Sequence, residues 1–237
     1  MSTRLTQPLP PCIALIHATA LAIEPINSAF ARHWPQTQRM NLLDDSLSVD
    51  GARDGSLTDD MTLRFVDLAL YAVSTGWTGI LFTCSAFGPA IEAAGNASGV
   101  PTLKPNEAMF EQALALGTQG RAVKLGLIAT FQASNPSMSE ELQTMAAGRS
   151  ISIDLRTAFV PEAMDDLAQG RAADHHREIA EAARQSADCD AVMLAQFAMA
   201  AVNPIVPHEL KCQVLSSPDC AVLALKQRMQ PMPELHA

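Results

Sequence analysis

Two short segments in corresponding positions carry the side chains with the clearest chemical potential. Gly79–Thr83 is an apolar run that leads into Cys84, and Ala191–Ala195 is a similar run that leads into Gln196. A thiol at the start of a helix has a lowered pKa, so Cys84 is predicted to act as a nucleophile or as an acid–base group. An amide does not exchange protons at useful rates, so Gln196 is predicted to bind oxygen atoms of a ligand.

The same two segments belong to a longer internal repeat. Ile13–Thr19 resembles Leu125–Thr130, and Val100–Pro105 resembles Gln213–Pro218. The offsets are 111 between the threonines, 112 between Cys84 and Gln196, and 113 between the prolines. Matched landmarks in register indicate a duplicated α/β unit. Two such units related by a pseudo-two-fold axis share one cleft, with corresponding strand ends facing each other.

The elements that position these residues follow from the hydrophobic pattern. Short apolar runs alternate with longer amphipathic segments, which is typical of buried parallel strands joined by helices. Helices are predicted to start at Pro105, at Ser217-Pro218-Asp219 and at the capping box that begins with Ser137, and 44–60 is predicted to be a loop. The predicted strands are Ile13–Ile16, Arg39–Leu43, Gly79–Thr83, Pro101–Leu103, Val123–Ile128, Ile151–Leu155, Ala191–Ala195 and Gln213–Leu215.

These elements predict an α/β fold of two pseudo-symmetric lobes. Each lobe is expected to be a four-stranded, mainly parallel sheet flanked by helices, with the active site in the cleft between the lobes. The first lobe is predicted to comprise residues 1–103 plus 218–237, and the second lobe residues 104–217.

Composition excludes several classes of partner. The net charge of −9 and an aromatic content of 5% argue against a nucleic-acid partner. No apolar run reaches the length of a membrane span, and the first residues lack the apolar region of a signal peptide. Five cysteines without CxxC spacing indicate a reducing compartment. We therefore expect a soluble cytoplasmic protein with a small-molecule ligand.

Other side chains are expected at the same strand ends. Hydroxyls and backbone N–H groups at helix starts suit a carboxylate or a developing oxyanion. His17 is either a proton partner of Cys84 or a structural histidine. Adjacent histidines on a helix point about 100° apart, so Asp174-His175-His176 is predicted to be a solvated helix face and no metal site is expected. The ligand-binding candidates are His17, Thr19, Ser85, Ala86, Thr130, Phe131, Gln196 and Phe197.

Several motifs together carry a resemblance to a known family. They span nearly the whole chain: Ala14-Leu-Ile-His-Ala-Thr19, Trp34-Pro35 with Leu42-Leu-Asp-Asp-Ser46, Gly79-Ile-Leu-Phe-Thr-Cys-Ser-Ala86, Leu125-Gly-Leu-Ile-Ala-Thr130 and Val192-Met-Leu-Ala-Gln-Phe-Ala-Met199. In these motifs the chain resembles the aspartate/glutamate/hydantoin racemase superfamily, which includes arylmalonate decarboxylase and maleate isomerase.

The resemblance implies an enzyme that uses no metal, pyridoxal or nicotinamide cofactor, and that acts next to a carboxylate or amide of a small acid. In the family's racemases two cysteines on opposite faces of the substrate carbon form the acid–base pair. Cys84 falls on the first cysteine position, and Gln196 falls on the second. The resemblance also implies a homodimer.

The replacement at Gln196 leaves more than one reaction open. Racemisation needs a proton removed from one face of a carbon and another delivered to the opposite face. The leading interpretation is a superfamily enzyme that relies on Cys84. The alternatives are a single-cysteine isomerase of the maleate isomerase kind, a decarboxylase, or a non-catalytic protein that binds small carboxylates.

Overall fold

Eight strands and nine α-helices make up the part of the chain that a computed structural model describes, which is residues 11–118, 120–132, 134–202, 206, 210 and 212–229, without the side chain of Ala86. The strands are β1 Cys12–His17, β2 Gln38–Leu43, β3 Gly79–Phe82, β4 Thr102–Leu103, β5 Val123–Ala129, β6 Ile153–Phe159, β7 Ala191–Leu194 and β8 Gln213–Ser216. The helices are α1 Ile23–His33, α2 Ser46–Asp54, α3 Asp59–Ser74, α4 Gly88–Ser98, α5 Glu107–Leu114, α6 Ser134–Gly148, α7 Ala163–Ala168, α8 Ala172–Arg184 and α9 Ser217–Met229.

The strands form two four-stranded sheets of the same topology. The first has the order β2-β1-β3-β4 and the second the order β6-β5-β7-β8, and every pairing is parallel. The predicted fold class and all eight predicted strands are confirmed. No helix in the described part of the chain is long and apolar enough to span a membrane.

The strand register makes the internal repeat exact over three strands of each sheet. Ile13 pairs with Gly79 in the first sheet, and Leu125 pairs with Ala191 in the second. Both members of the second pair stand 112 residues after their counterparts in the first. The same spacing relates Cys84 to Gln196 and makes Ala18, rather than Thr19, the counterpart of Thr130. The sequence match at the threonines is therefore one residue out of register.

Three apolar layers hold the sheets. An inner core joins the facing sides of both sheets with α1, α5, α6 and α9. An outer core packs α3 and α4 on the first sheet, and another packs α8 on the second. Because the inner core is one continuous cluster, the two halves of the repeat are packed against each other rather than joined by a linker.

Two local predictions are wrong. Residues 44–60 contain α2 and the start of α3 rather than a loop, because Leu47 is fully buried and the Arg64 guanidinium donates to both Asp44 and Asp50. Helix α6 starts at Ser134, so Ser137 lies inside its first turn and does not cap it. At residues 44–60 these tertiary contacts outweigh the local preferences of Gly, Ser and Asp.

A buried polar contact joins the two halves of the repeat at the starts of α5 and α9. The Ser217 hydroxyl donates to Asn106 Oδ1 at 2.8 Å, and both residues are buried. Helix α5 contacts β7 and β8 of the second sheet, whereas α9 contacts α1 of the first half. The lobe boundaries at 103/104 and 217/218 stay a prediction.

We expect Ser217→Ala to lower the free energy of unfolding by about 1–3 kcal/mol, because it leaves a buried amide oxygen without its donor. Urea unfolding measures this change. The control is Ser74→Ala, whose hydroxyl donates to the Tyr71 carbonyl on an exposed helix end and whose loss should cost less than about 0.5 kcal/mol. Equal effects of the two substitutions would contradict the assignment.

Candidate active site

The carboxyl ends of the central strands of both sheets meet between the two halves of the molecule. The turn Ala20–Ala22, which follows β1, contacts the turn Phe197–Val202, which follows β7. The turn Ser85–Phe87, which follows β3, contacts α6. Cys84 and Gln196 immediately precede two of these turns, so both are at the edge where parallel α/β sheets bind ligands.

Cys84 links the end of β3 to the turn Ser85–Phe87. Its backbone is extended, with φ −116° and ψ 120°, and the residue is half-buried beside the outer core of the first sheet. Ser85, also half-buried, and Ala86 belong to the turn. The other end of the second sheet carries Cys189, a buried thiol whose pKa is raised by desolvation. Cys189 therefore lies at the amino end of β7, away from the turns described above.

Gln196 is held by two hydrogen bonds to one residue. The Thr130 backbone N–H donates to Gln196 Oε1 at 2.8 Å, and the Thr130 hydroxyl donates to the same oxygen at 3.1 Å. A backbone N–H can only donate, so the amide orientation follows from this contact. The Gln196 amide nitrogen is enclosed and has no hydrogen-bond partner among the described residues. Leaving such a donor without an acceptor costs about 1–3 kcal/mol.

His17, the last residue of β1, lies in a buried hydrogen-bond chain. Its Nδ1 is 2.8 Å from the Thr83 hydroxyl, and its Nε2 is 3.0 Å from Asn41 Oδ1. Asn27 Nδ2 donates both to the Ile23 carbonyl and to Asn41 Oδ1. The chain therefore ends at Thr83, the residue before Cys84.

The hydrogen-bond partners fix the amide orientations in this chain and the donor role of His17 Nε2. Because the Ile23 carbonyl can only accept, Asn27 presents its nitrogen, and Asn41 Oδ1 accepts from both Asn27 and His17. His17 Nε2 therefore carries a proton. In the neutral ring Nδ1 accepts from the Thr83 hydroxyl at 2.8 Å, which is closer than the contact of the same hydroxyl with the Ile16 carbonyl at 3.4 Å. Burial lowers the pKa of His17, although the Asn41 hydrogen bond opposes this shift. His17 is fully buried with both ring nitrogens engaged, which favours the structural role over the proton partner.

The remaining candidates lie at the same strand ends in different environments. Thr19 is half-buried, and its hydroxyl accepts from the Leu21 N–H at 3.4 Å, which caps the turn after β1. Thr130 is 3% exposed and Phe197 4%, whereas Phe131 is 52% exposed. Contact of these residues with a ligand stays a prediction.

Sequence reasoning missed the polar partners of His17. Asn41 stands inside β2, where its register partner is Leu15, and an amide within a predicted strand is the signal that could have revealed it. Sequence reasoning also misplaced His175, which is fully buried rather than solvated. Desolvation, with His176 nearby, lowers the pKa of His175 to about 4. Among the described residues no group of three or more His, Cys, Asp or Glu side chains could hold a metal ion.

The positive charge that follows β4 is already neutralised. The Lys104 ammonium, which follows β4, lies 2.8 Å from Glu92 and 3.4 Å from Glu141. These carboxylates outweigh burial and raise the pKa of Lys104. Burial raises the pKa of Glu141 although Lys104 opposes this shift. Lys104 therefore pairs with protein carboxylates on α4 and α6.

We expect His17 to stay neutral, with its proton on Nε2, as the pH falls below the ordinary value near 6.5. The folded-state pKa is lowered, so the unfolded chain takes up the proton first and this residue reduces stability as the pH falls. Nitrogen-15 NMR of labelled histidine between pH 7 and pH 5 reports the tautomer, and the urea-unfolded chain is the control. A folded-state imidazole that carries both protons near pH 6.5 would contradict the hydrogen-bond assignment.

Comparisons with known structures agree with this architecture. A glutamate racemase isoform from Bacillus anthracis matches with a TM-score of 0.66 at 14% identity, covering 93% of this chain and 82% of that one. Allantoin racemase from Klebsiella pneumoniae matches with a TM-score of 0.64 at 16% identity, covering 92% and 86%. Unliganded arylmalonate decarboxylase matches with a TM-score of 0.56 at 16% identity, covering 92% of each chain. At these identities the matches show the fold.

A search among curated protein sequences gave no significant match. The family model described as Asp/Glu/Hydantoin racemase matches residues 13–225. That span includes both sheets and both strand ends that carry Cys84 and Gln196. The chain therefore belongs to the Asp/Glu/hydantoin racemase family of enzymes.

Proposed function

We propose that this protein is a cofactor-independent enzyme in which one thiol, that of Cys84, does the chemistry at a carbon next to a carboxylate or amide of a small acid. The observation that carries the proposal is the register of the two sheets, which makes Cys84 and Gln196 equivalent residues at the carboxyl ends of corresponding strands. One of the two positions holds a thiol and the other an amide. We therefore propose a cleft between the two halves in which only one side, that of Cys84, carries an acid–base group.

The surroundings of Cys84 support a proton-transfer role. The thiol precedes a turn and then α4, so backbone N–H groups near Ser85 can stabilise a thiolate and hold substrate oxygen atoms. His17 acts on Cys84 through Thr83, whose hydroxyl it fixes, and is a positioning residue. In the reaction, the thiolate removes the proton from the carbon next to the carboxylate, and the resulting thiol returns a proton to the same face.

The role of Gln196 distinguishes this scheme from two-base racemisation. Its amide carbonyl is engaged with Thr130, and its amide nitrogen carries hydrogens that do not ionise near neutral pH. It therefore binds rather than transfers protons. Exchange of the substrate proton with solvent then occurs with retention of configuration, because both proton transfers use the same face.

Two other candidate functions rest on the same asymmetry. In an isomerase, the Cys84 thiolate adds to an electron-poor double bond next to a carboxylate, the new single bond rotates, and the thiolate leaves again. In a decarboxylase, the Cys84 thiol protonates the carbanion left by loss of carbon dioxide. A non-catalytic binder of small carboxylates is the remaining alternative, and an unreactive Cys84 would favour it. The protein is proposed to act as a soluble cytoplasmic homodimer.

We expect Cys84→Ala to lower the rate of α-proton exchange by about 10²–10⁴-fold, because it removes the acid–base group. Proton NMR in deuterated water, across a panel of amino acids, hydantoins and dicarboxylates, measures exchange, and chiral chromatography of the same samples measures inversion. Wild type should exchange faster than it inverts. Cys189→Ala is the matched control and should keep the wild-type rate. Exchange that survives in Cys84→Ala would rule out the one-thiol mechanism.

We expect Gln196→Cys to raise inversion relative to exchange, because it places a second thiol on the opposite side of the cleft. The same chiral chromatography measures the ratio, with Gln185→Cys on the exposed end of α8 as the control. Gln196→Ala should weaken substrate binding and leave exchange with retention. If wild type already inverts as fast as it exchanges and Gln196→Ala changes neither rate, a second base other than position 196 must exist.

A further inference from the structure

We propose that Gln196 is an internal ligand: its amide oxygen fills a two-donor pocket of the second half of the repeat, so the site takes an acid with one carboxylate and excludes a second carboxylate. This inference rests on the proposed function in that it takes the cleft between the two halves as the binding site. It adds a specificity-determining role for Gln196 and a substrate class.

The pocket is formed by Thr130 alone. Its backbone N–H and its hydroxyl converge on one oxygen, at 2.8 Å and 3.1 Å. Two donors that converge on a point are the arrangement that holds a carboxylate oxygen or an oxyanion. Thr130 follows the carboxyl end of β5 and is buried, so any ligand oxygen held there would be withdrawn from water. In this structure the oxygen in that position belongs to Gln196.

The first half of the repeat does not offer the same pocket. The residue equivalent to Thr130 by strand register is Ala18, which has no hydroxyl. The Thr130 pocket is therefore a feature of the second half, and Gln196 already fills it. A second carboxylate that occupied the Thr130 pocket would have to displace the Gln196 oxygen, and the amide oxygen would then lack a partner as the amide nitrogen already does.

The other end of the same amide indicates what the substrate presents instead. Gln196 Nε2 is enclosed and has no hydrogen-bond partner among the described residues. Its orientation is fixed by the two bonds to Thr130, so it offers only hydrogens. It can donate to any acceptor oxygen, and an amide or carbonyl oxygen meets it without burying a second charge in this enclosed place. The single carboxylate of the substrate then lies toward the turn after Cys84.

Calorimetric titration of malonate and malonamate tests the inference, because the two differ only in replacing one carboxylate by an amide. All proteins carry Cys84→Ala, so binding is measured without turnover. We expect malonamate to bind more tightly than malonate when Gln196 is present. Adding Gln196→Ala should tighten malonate binding by about tenfold or more. A further Thr130→Val substitution should abolish that gain, because it removes the hydroxyl donor of the pocket.

Gln185→Ala serves as the control amide, on the exposed end of α8, and should leave malonate affinity within about twofold. Gln196→Ser replaces Gln196→Ala if the latter does not fold. The inference is overturned if Gln196→Ala, which leaves the Thr130 donors unoccupied, raises malonate affinity no more than Gln185→Ala does. It is also overturned if the Gln196→Ala protein binds no malonate at concentrations up to about 50 mM. If Gln196→Ala tightens malonate binding but the wild-type protein shows no turnover that depends on Cys84, the proposed function alone is wrong. If Cys84-dependent turnover is observed but Gln196→Ala does not tighten malonate binding, this inference alone is wrong.

Discussion

The packing of two parallel sheets against one shared layer of helices is the constraint on which the rest of the structure depends. The inner core contains residues from both sheets and from α1, α5, α6 and α9. Close packing of this layer fixes how the two halves face each other, because interiors leave few voids larger than a water molecule. The contacts of the turn after β1 with the turn after β7, and of the turn after β3 with α6, follow from that packing. A buried bond between Asn106 and Ser217 adds a polar restraint where α5 and α9 begin.

The repeat fixes where chemistry can occur without fixing which chemistry occurs. The spacing of 112 residues relates three strands of each sheet, yet Cys84 and Gln196, which this spacing makes equivalent, have different chemical abilities. Gln196 is hydrogen-bonded to Thr130, whereas on the other side His17 is hydrogen-bonded to Thr83, the residue before Cys84. The backbone symmetry of the fold is therefore combined with an asymmetric set of side chains. Such an arrangement lets one family perform several reactions on one scaffold.

Most of the fold could be predicted from the sequence, because each buried parallel strand corresponds to a short apolar run and these runs recur in the same order in both halves. Helix α2 could not, since its formation depends on burial of Leu47 and on Arg64, which is distant in sequence from Asp44. The positions of Cys84 and Gln196 after β3 and β7 could be predicted because both residues follow apolar runs. Asn41 and Thr83 were missed because hydrogen bonds between neighbouring strands leave no local pattern. The burial of His175 was missed for a similar reason. Helical spacing predicts the direction of a side chain around the helix axis, but it does not predict which other elements pack against that side.

The continuous inner core also determines how a ligand could enter the cleft proposed between the two halves. In proteins whose lobes are joined by a linker, the lobes can swing apart as rigid bodies. Here such a hinge would expose apolar surface on both sheets, at a cost of about 25 cal/mol for each Å². Access must then come from rearrangement of short connecting segments, such as the turns after β1, β3 and β7, while the layers stay in contact. The rate of ligand exchange would thus depend on local turn motion rather than on the opening of whole lobes.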